Sequence, residues 1–367
     1  MKTKTATTLA HPNIALAKYW GKREYGHNLP AVPSLSVTLA GMTTATTVTF
    51  DAALAADVLV LGGQEASAHA TSRVSVMLDR IRARSGVTEK ARVVSANDFP
   101  TASGLASSAS AFAALAVAAS TAAGLHLSLE EMSNMARMTS VSAARSVLGG
   151  FVELRAGWPG DEKLAAHQVA PAEHWPIRIV VAVVSEGPKA VGSTEGMAHT
   201  ARTSPYFPAW VERAPGVYAR IKQAILDRDI EALGVAAEES ALAMHATSLA
   251  ATPGLIYWTG TTLEVLAEVR RLRAVGLSAY ATIDAGPHVK VICAAEDEAE
   301  VTKFIGAVPG VKRTIVTRPG PGARVFTVEE DRAQADSMAS DSISTAYTTL
   351  DIDSEDLDTE SAESAKR

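Results

Sequence analysis

Pro100-Thr101-Ala102-Ser103-Gly104-Leu105-Ala106-Ser107-Ser108-Ala109 is the stretch on which the reading of the fold turns. Its small side chains let the backbone close tightly on a ligand. The chain then enters an alanine-rich helix, expected from about Leu105 to Ala123 and closed by Gly124. The first N–H groups of such a helix have no partners within it, and the positive end of the helix dipole adds to them, so the loop suits a phosphate. Ser107 and Ser108 add hydroxyls able to donate to that phosphate or to ligate magnesium. This is not a Walker A loop, because no Gly-Lys-Ser/Thr follows. Gly187–Thr194 comes near that pattern, but Ser193 stands where the lysine belongs. A tight turn ahead of a buried helix would use the same residues.

Working outward, Leu35–Leu39 alternates apolar and hydroxyl residues as a half-buried strand does, and Thr46–Phe50 is rich in β-branched residues. A helix is expected over Ser72–Ser85 and a strand over Ala91–Ser95. Beyond the loop, Ser128 and Glu131 form a capping-box signature for a helix to about Met138. A short helix near Ser142–Leu148 stops at Gly149-Gly150, and Phe151–Leu154 returns as a strand. After the strand Ile177–Val184, helical patterns cover Ala209–Leu226, Ile230–His245 and Thr262–Ala274. Strands follow at Ser278–Ile283 and Val289–Cys293, a helix near Asp297–Ile305, then strands at Thr314–Thr317 and Val325–Val328. This order indicates an α+β protein of two sandwich-like domains, each with its own core, divided near residue 185.

Three further segments carry chemistry. Asn13–Arg23 ends an apolar strand with Lys18, Lys22 and Arg23 around Tyr19 and Trp20; the lysines can reach phosphate or carboxylate groups, although a solvated strand end would look the same. Thr139–Arg145 offers Ser140 and Ser142, with Arg145 one turn beyond Ser142 and suited to gripping a carboxylate or phosphate; Ser142 would also serve as a plain helix cap. Ile283–His288 ends a strand with Asp284 before a Gly-Pro turn, where a carboxylate can orient or deprotonate a hydroxyl, or cap the turn.

Charge sharpens this picture. The 367 residues carry a formal net charge of −6, but Glu329–Arg367 alone holds 12 acidic and 3 basic residues. That segment reads as a disordered acidic tail. The remaining body is mildly basic, with 31 basic and 28 acidic residues, so an anionic substrate is compatible with it. The lone Cys293 excludes disulfides within the chain and thiolate zinc sites, and its apolar run Val289–Cys293 makes it a buried structural thiol. The nine histidines show no metal-ligand spacing, and no basic stretch with interleaved aromatics suggests nucleic acid. The N-terminus shows no signal peptide, and the most apolar run, Ala109–Ala123, is too short for a membrane span. A soluble, cytoplasmic protein is expected.

Together the four segments resemble the GHMP small-molecule kinase superfamily. Pro-x-x-x-Gly-Leu-Ala-Ser-Ser-Ala resembles its ATP-binding loop, and Ala106, in place of the usual glycine, resembles the diphosphomevalonate decarboxylase branch. Asn13-Ile14-Ala15 followed by Lys18–Arg23, and Asp284–Pro287, resemble that branch's other signatures. Arg145-Ser146 with Gly149–Glu153, Ser193-Thr194 with Gly196-Met197, and Met244–Thr247 also match, so the resemblance runs from about residue 8 to 328. It implies a GHMP-kinase-like two-domain sandwich, with a ribosomal-protein-S5-domain-2-like N-terminal part (1–185), a ferredoxin-like C-terminal part (186–328) and the tail 329–367 outside them. It further implies ATP-dependent decarboxylation of mevalonate 5-diphosphate to isopentenyl diphosphate, with ATP and Mg²⁺ and a homodimer.

By the same resemblance Asp284, Lys18 and Arg145 are catalytic, and Tyr19, Lys22, Ser140 and Ser142 bind the diphosphate. Pro100, Gly104, Leu105, Ala106, Ser107 and Ser108 hold ATP, the two serines also serving Mg²⁺. Thr139, Val141 and His288 depart from the family pattern of Gly, Gly and Asn. Mevalonate 5-phosphate as substrate, a kinase that stops at the phosphorylated 3-hydroxyl, and a binding protein without turnover are the competing readings.

Overall fold

The β-branched and hydroxyl-rich opening of the chain becomes a series of strands in the computed structural model, which describes residues 4–99, 107–185, 187 and 191–326. These are β1 (Thr5–Ala10), β2 (Asn13–Ala17), β3 (Ser34–Thr38), β4 (Thr44–Asp51), β5 (Val58–Leu61) and β6 (Gln64–Glu65). Helix α1 (Ala68–Ser85) and β7 (Lys90–Asn97) follow, then α2 (Ser107–Ala122), α3 (Leu129–Thr139), α4 (Ala143–Ser146), β8 (Phe151–Leu154) and β9 (His167–Ala170). The second half holds β10 (Arg178–Val183), α5 (Ser193–Thr203), α6 (Phe207–Asp227), α7 (Ile230–Leu249) and α8 (Gly260–Ala274). It continues with β11 (Tyr280–Ile283), β12 (Val289–Cys293), α9 (Glu298–Gly306), β13 (Arg313–Thr317) and β14 (Arg324–Phe326).

Local chemistry sets the helix ends. Ser67 caps α1 through the Ala70 amide, and Gly86 ends it in the left-handed conformation. The expected capping box at Ser128 and Glu131 forms, with both reciprocal bonds present. Helix α2 is buried on nearly every face, between β1 and β4 on one side and α3 and α4 on the other. Alanine is the residue that lets so many backbones approach one helix.

The described strands form three sheets, ordered β14-β1-β4-β7-β5-β6, β2-β3-β8-β9 and β11-β12-β10-β13. The α+β class expected from the sequence is the one observed. Each half has a core cluster of its own, the first packed around α2 and the second between α8, α9 and the sheet of β10–β12, and a third cluster joins the halves. Ile14, Leu16 and Val37 of the second sheet share one cluster with Ile179, Val181 and Val183 of β10 and with Ile221 and Leu233 of α6 and α7. Strand β10, expected to end the first domain, pairs with β12 and β13 and so belongs to the second half's sheet. An apolar strand shows its burial in sequence but not its neighbours. The chain also returns: Gly320 donates to Thr38 O at 2.8 Å, and β14 adds to the edge of β1.

Strand β3 differs from the half-buried pattern its alternation suggested, for Ser34 through Thr38 are all buried. Its hydroxyl face looks inward to a guanidinium rather than outward to water.

Candidate active site

All four of the expected site segments contribute to one cleft that spans both halves of the chain, the loop segment through Ser108. Its walls include Lys18, Tyr19 and Lys22 beyond β2, Ser140, Ser142 and Arg145 around α4, Ser108 at the start of α2, and Asp284 beyond β11. Arg73 of α1 and Asn28 also line it, as do Ser193 and Thr194 of α5. Four cations (Lys18, Lys22, Arg73 and Arg145) face a single carboxylate among these lining residues. A cleft so charged favours a multiply anionic ligand.

Each group is placed by its backbone. Lys18 is delivered by β2, and its amide donates to Ser240 Oγ of α7 at 2.9 Å. Gly21 follows with φ +105°, and a Cβ there would meet the Phe207 ring at 2.7 Å, so glycine alone fits this turn. The turn sends Lys22 into the cleft, while Arg23 stacks outward on Trp158, 4.7 Å from its ring centre. Asn13 holds α4 in place by donating to Ser142 O at 3.0 Å and Ser146 Oγ at 2.8 Å. Ser142 precedes α4 but makes no side-chain cap; its hydroxyl lies 3.2 Å from that of Ser140, both facing the cleft. The cap reading of Ser142 is thereby set aside.

Asp284 ends β11 between two ammonium groups. Lys18 Nζ stands 2.5 Å from Oδ1, and Lys290 Nζ stands 3.1 Å from Oδ2. Burial opposes ionisation of Asp284, but the charges and hydrogen bonds of Lys18 and Lys290 outweigh it and hold the carboxyl well below the usual carboxylate range. About a quarter of its side chain (26%) remains open to the cleft. Burial, only partly offset by Asp284, draws Lys18 down to about 8. It is a cation at neutral pH that gives up its proton more readily than an exposed lysine.

Arg145 is fully buried, with Nε donating to Ser36 Oγ at 3.0 Å and Nη1 to Ser34 Oγ at 2.7 Å. Burial lowers it to about 10, still charged at neutral pH, and no carboxylate pairs with it among the described residues. A buried guanidinium held by neutral hydroxyls is expensive to maintain and ready for an anion. Arg137 looks similar in burial but is structural: it donates to Leu164 O, Glu162 O, His27 O and Asn134 Oδ1, fastening two loops.

Two buried histidines stand behind the acid. His245 of α7 is lowered to about 3 by burial and by the Lys18 charge, and packs 4.8 Å from the Trp258 ring centre. His288 is lowered to about 3 by burial and by Lys290 and Arg313, and its Nδ1 accepts from the Val184 amide at 3.2 Å. Both are neutral. The departure at His288 therefore leaves the charge around Asp284 unchanged.

Ser107 and Ser108 open α2, whose first turn contains no acidic residue. Ser108 faces the cleft, whereas the Ser107 carbonyl accepts from Ser110 Oγ at 3.1 Å. Pro100, Gly104, Leu105 and Ala106, expected to bind ATP, lie outside the described residues. Among the described residues no cluster of acidic, histidine and cysteine side chains forms a metal cage. The donor set fits Mg²⁺ held by a hydroxyl together with phosphate oxygens and water, the usual manner for that ion.

Sequence reading missed Arg73, Asn28 and Lys290. Asn28 belongs to a segment with no local pattern and Arg73 to a helix whose pattern marks only its fold, but Lys290 carried a signal: a lysine inside the wholly buried strand Val289–Cys293 must have an anionic partner.

Comparison with known proteins bears on this geometry. Residues 10–165 match the family model of the diphosphomevalonate decarboxylase-like N-terminal domain, and residues 179–350 that of the mevalonate 5-diphosphate decarboxylase C-terminal domain. The chain is 39% identical to the diphosphomevalonate decarboxylase of Aspergillus fumigatus over 83% of this chain and 80% of that one. It superimposes on the mevalonate diphosphate decarboxylase of Staphylococcus aureus with a TM-score of 0.84 and 35% identity, covering 88% of this chain and 98% of that one. A structure of a protein called MDDEF in complex with MVAPP, AMPPCP and magnesium matches with a TM-score of 0.83 and 38% identity, over 88% and 99% of the two chains. With these matches spanning both halves of the cleft, the chain belongs to the diphosphomevalonate decarboxylase family.

Proposed function

We propose that this chain converts mevalonate 5-diphosphate and ATP into isopentenyl diphosphate, ADP, phosphate and carbon dioxide, as a cytoplasmic homodimer. The observation that carries the reading is an ionised Asp284 beside a buried Arg145 that has no carboxylate partner among the described residues. The substrate supplies what the site lacks: a carboxylate for Arg145, and a 3-hydroxyl for Asp284.

The tertiary hydroxyl is a poor leaving group until it is phosphorylated. Asp284 accepts a hydrogen bond from it and aims its oxygen. Because the carboxylate is held so far below its ordinary pKa, it is a weak base, and the proton passes to it only as the new oxygen–phosphorus bond forms. Lys18, beside Asp284 at the cleft wall, meets the charge on the transferring group. Phosphate then departs, positive charge grows at the tertiary carbon, and the adjacent carboxylate leaves as carbon dioxide, its electron pair forming the double bond. Arg145 holds that carboxylate in line beforehand. Tyr19, Lys22, Ser140 and Ser142 bind the diphosphate, with Arg73 adding positive charge on the same wall.

Ser108, with Ser107 and the loop at 100–106, would hold ATP and Mg²⁺, and bound Mg²⁺ supplies charge neutralisation on the phosphates. The complex of MDDEF with AMPPCP and magnesium supports ATP and Mg²⁺ as the cofactors. A kinase that stops at the phosphorylated alcohol has less use for a buried guanidinium aimed at a carboxylate. Purified protein with Mg-ATP and mevalonate bearing no, one or two 5-phosphates tests the substrate: the diphosphate should give the highest kcat/KM. A preference for the monophosphate would overturn that choice.

A further inference from the structure

We infer that Lys290 is the permanent counter-ion of Asp284, a positioning residue that keeps the carboxylate ionised and aimed while Lys18 turns to the substrate. The inference rests on the role proposed above for Asp284. Its basis is topological first. In the β11–β12 hairpin Thr282 pairs with Lys290 and Ile283 with Val289. Asp284, two residues beyond Thr282, therefore shares a face with Lys290 across the turn.

The two lysines divide the carboxylate between them, Lys18 on Oδ1 at 2.5 Å and Lys290 on Oδ2 at 3.1 Å. They are not equivalent. Both are buried, at 2% and 1% exposed, but Lys18 is among the residues that line the cleft, where an arriving anion competes for it, whereas Lys290, on a strand buried along its whole length, is not among them. A substrate can therefore draw Lys18 from Asp284 but cannot reach Lys290. Without Lys290, Lys18 would be the sole cation paired with the acid among the described residues and would be held there by it.

Other charged or titratable groups also face this pair. Among the described residues, Asp284 feels Arg145 from α4 and backs onto neutral His245 of α7, while neutral His288 feels the charges of both Lys290 and Arg313 of β13. None of these replaces Lys290 at the second carboxylate oxygen.

Lys290→Met and Lys290→Arg, made in the full chain, test the inference through the pH dependence of kcat. With the wild-type enzyme as control, failure of the wild type to turn over mevalonate 5-diphosphate would indict the proposed function rather than Lys290. Lys290→Met should lower kcat by about tenfold to a hundredfold and move the acid limb of its pH profile upward toward the ordinary carboxylate range. Its KM for ATP should change little, and Lys290→Arg should restore most of both effects. If methionine at this buried site fails to fold, Lys290→Gln reads the same loss of charge. An unshifted acid limb in the charge-free variant would overturn the inference. So would an equal loss in Lys290→Arg, or a loss matched by weakened ATP binding, since either marks a packing role.

Discussion

Replacing Arg145 with glutamine should damage catalysis far more than folding. The guanidinium fork offers a substrate carboxylate two charge-assisted hydrogen bonds, worth about 1.5–3 kcal/mol each when desolvated. Losing both removes about 3–6 kcal/mol, or roughly two to four orders of magnitude in kcat/KM. The folded state has less to lose. Among the described residues Arg145 hydrogen-bonds the Ser34 and Ser36 hydroxyls at 2.7 and 3.0 Å, and glutamine can keep one of them. The lost bond costs about 0.5–1.5 kcal/mol, and removing a buried charge without a paired carboxylate offsets it. The thermal midpoint should move by no more than a few degrees. Initial rates of ADP release against mevalonate 5-diphosphate at saturating Mg-ATP, with thermal unfolding of the same samples, read both quantities. A rate within tenfold of wild type, or a rate loss accompanied by equal losses of stability and ATP affinity, would refute the assignment.

Asp284→Ala should abolish turnover while leaving ATP affinity largely intact, as equilibrium titration with the nucleotide would show; near-normal turnover would remove Asp284 from its role. Lys18 loses its proton near pH 8, because burial outweighs the stabilising charge of Asp284, so kcat/KM should decline above that pH. Lys18→Met should lower the rate and erase that alkaline limb. Truncation after Val328 retains β14, which ends at Phe326, and should leave activity nearly unchanged. Because the C-terminal family match extends to residue 350, a second truncation there serves as comparison; a large loss only in the shorter chain would place 329–350 inside the working enzyme.

Much of the site was legible because its chemistry is local in sequence. Lys18 and Lys22 sit on one turn, Ser140, Ser142 and Arg145 on another, and Asp284 marks a strand end; each segment is short enough to carry its own pattern. The relations between segments were not legible. Alternation in β3 indicated one buried face, yet the serine face is buried too, because Arg145 arrives from α4, over 100 residues later, to occupy it. β10 gave its strand character but not its sheet, since apolar strands of either half look alike. Helix α5 went unseen because its polar, glycine-interrupted sequence lacks an apolar stripe, although it brings Ser193 and Thr194 to the cleft. Lys290 passed unread within an apolar strand, and the hairpin register explains its place.

The most direct test of the account is the joint stoichiometry of ADP and carbon dioxide from mevalonate 5-diphosphate carrying an isotopic label in its carboxylate. The account predicts one carbon dioxide, one inorganic phosphate and one isopentenyl diphosphate for every ADP formed. ADP appearing without labelled carbon dioxide would contradict it, leaving a kinase in place of a decarboxylase.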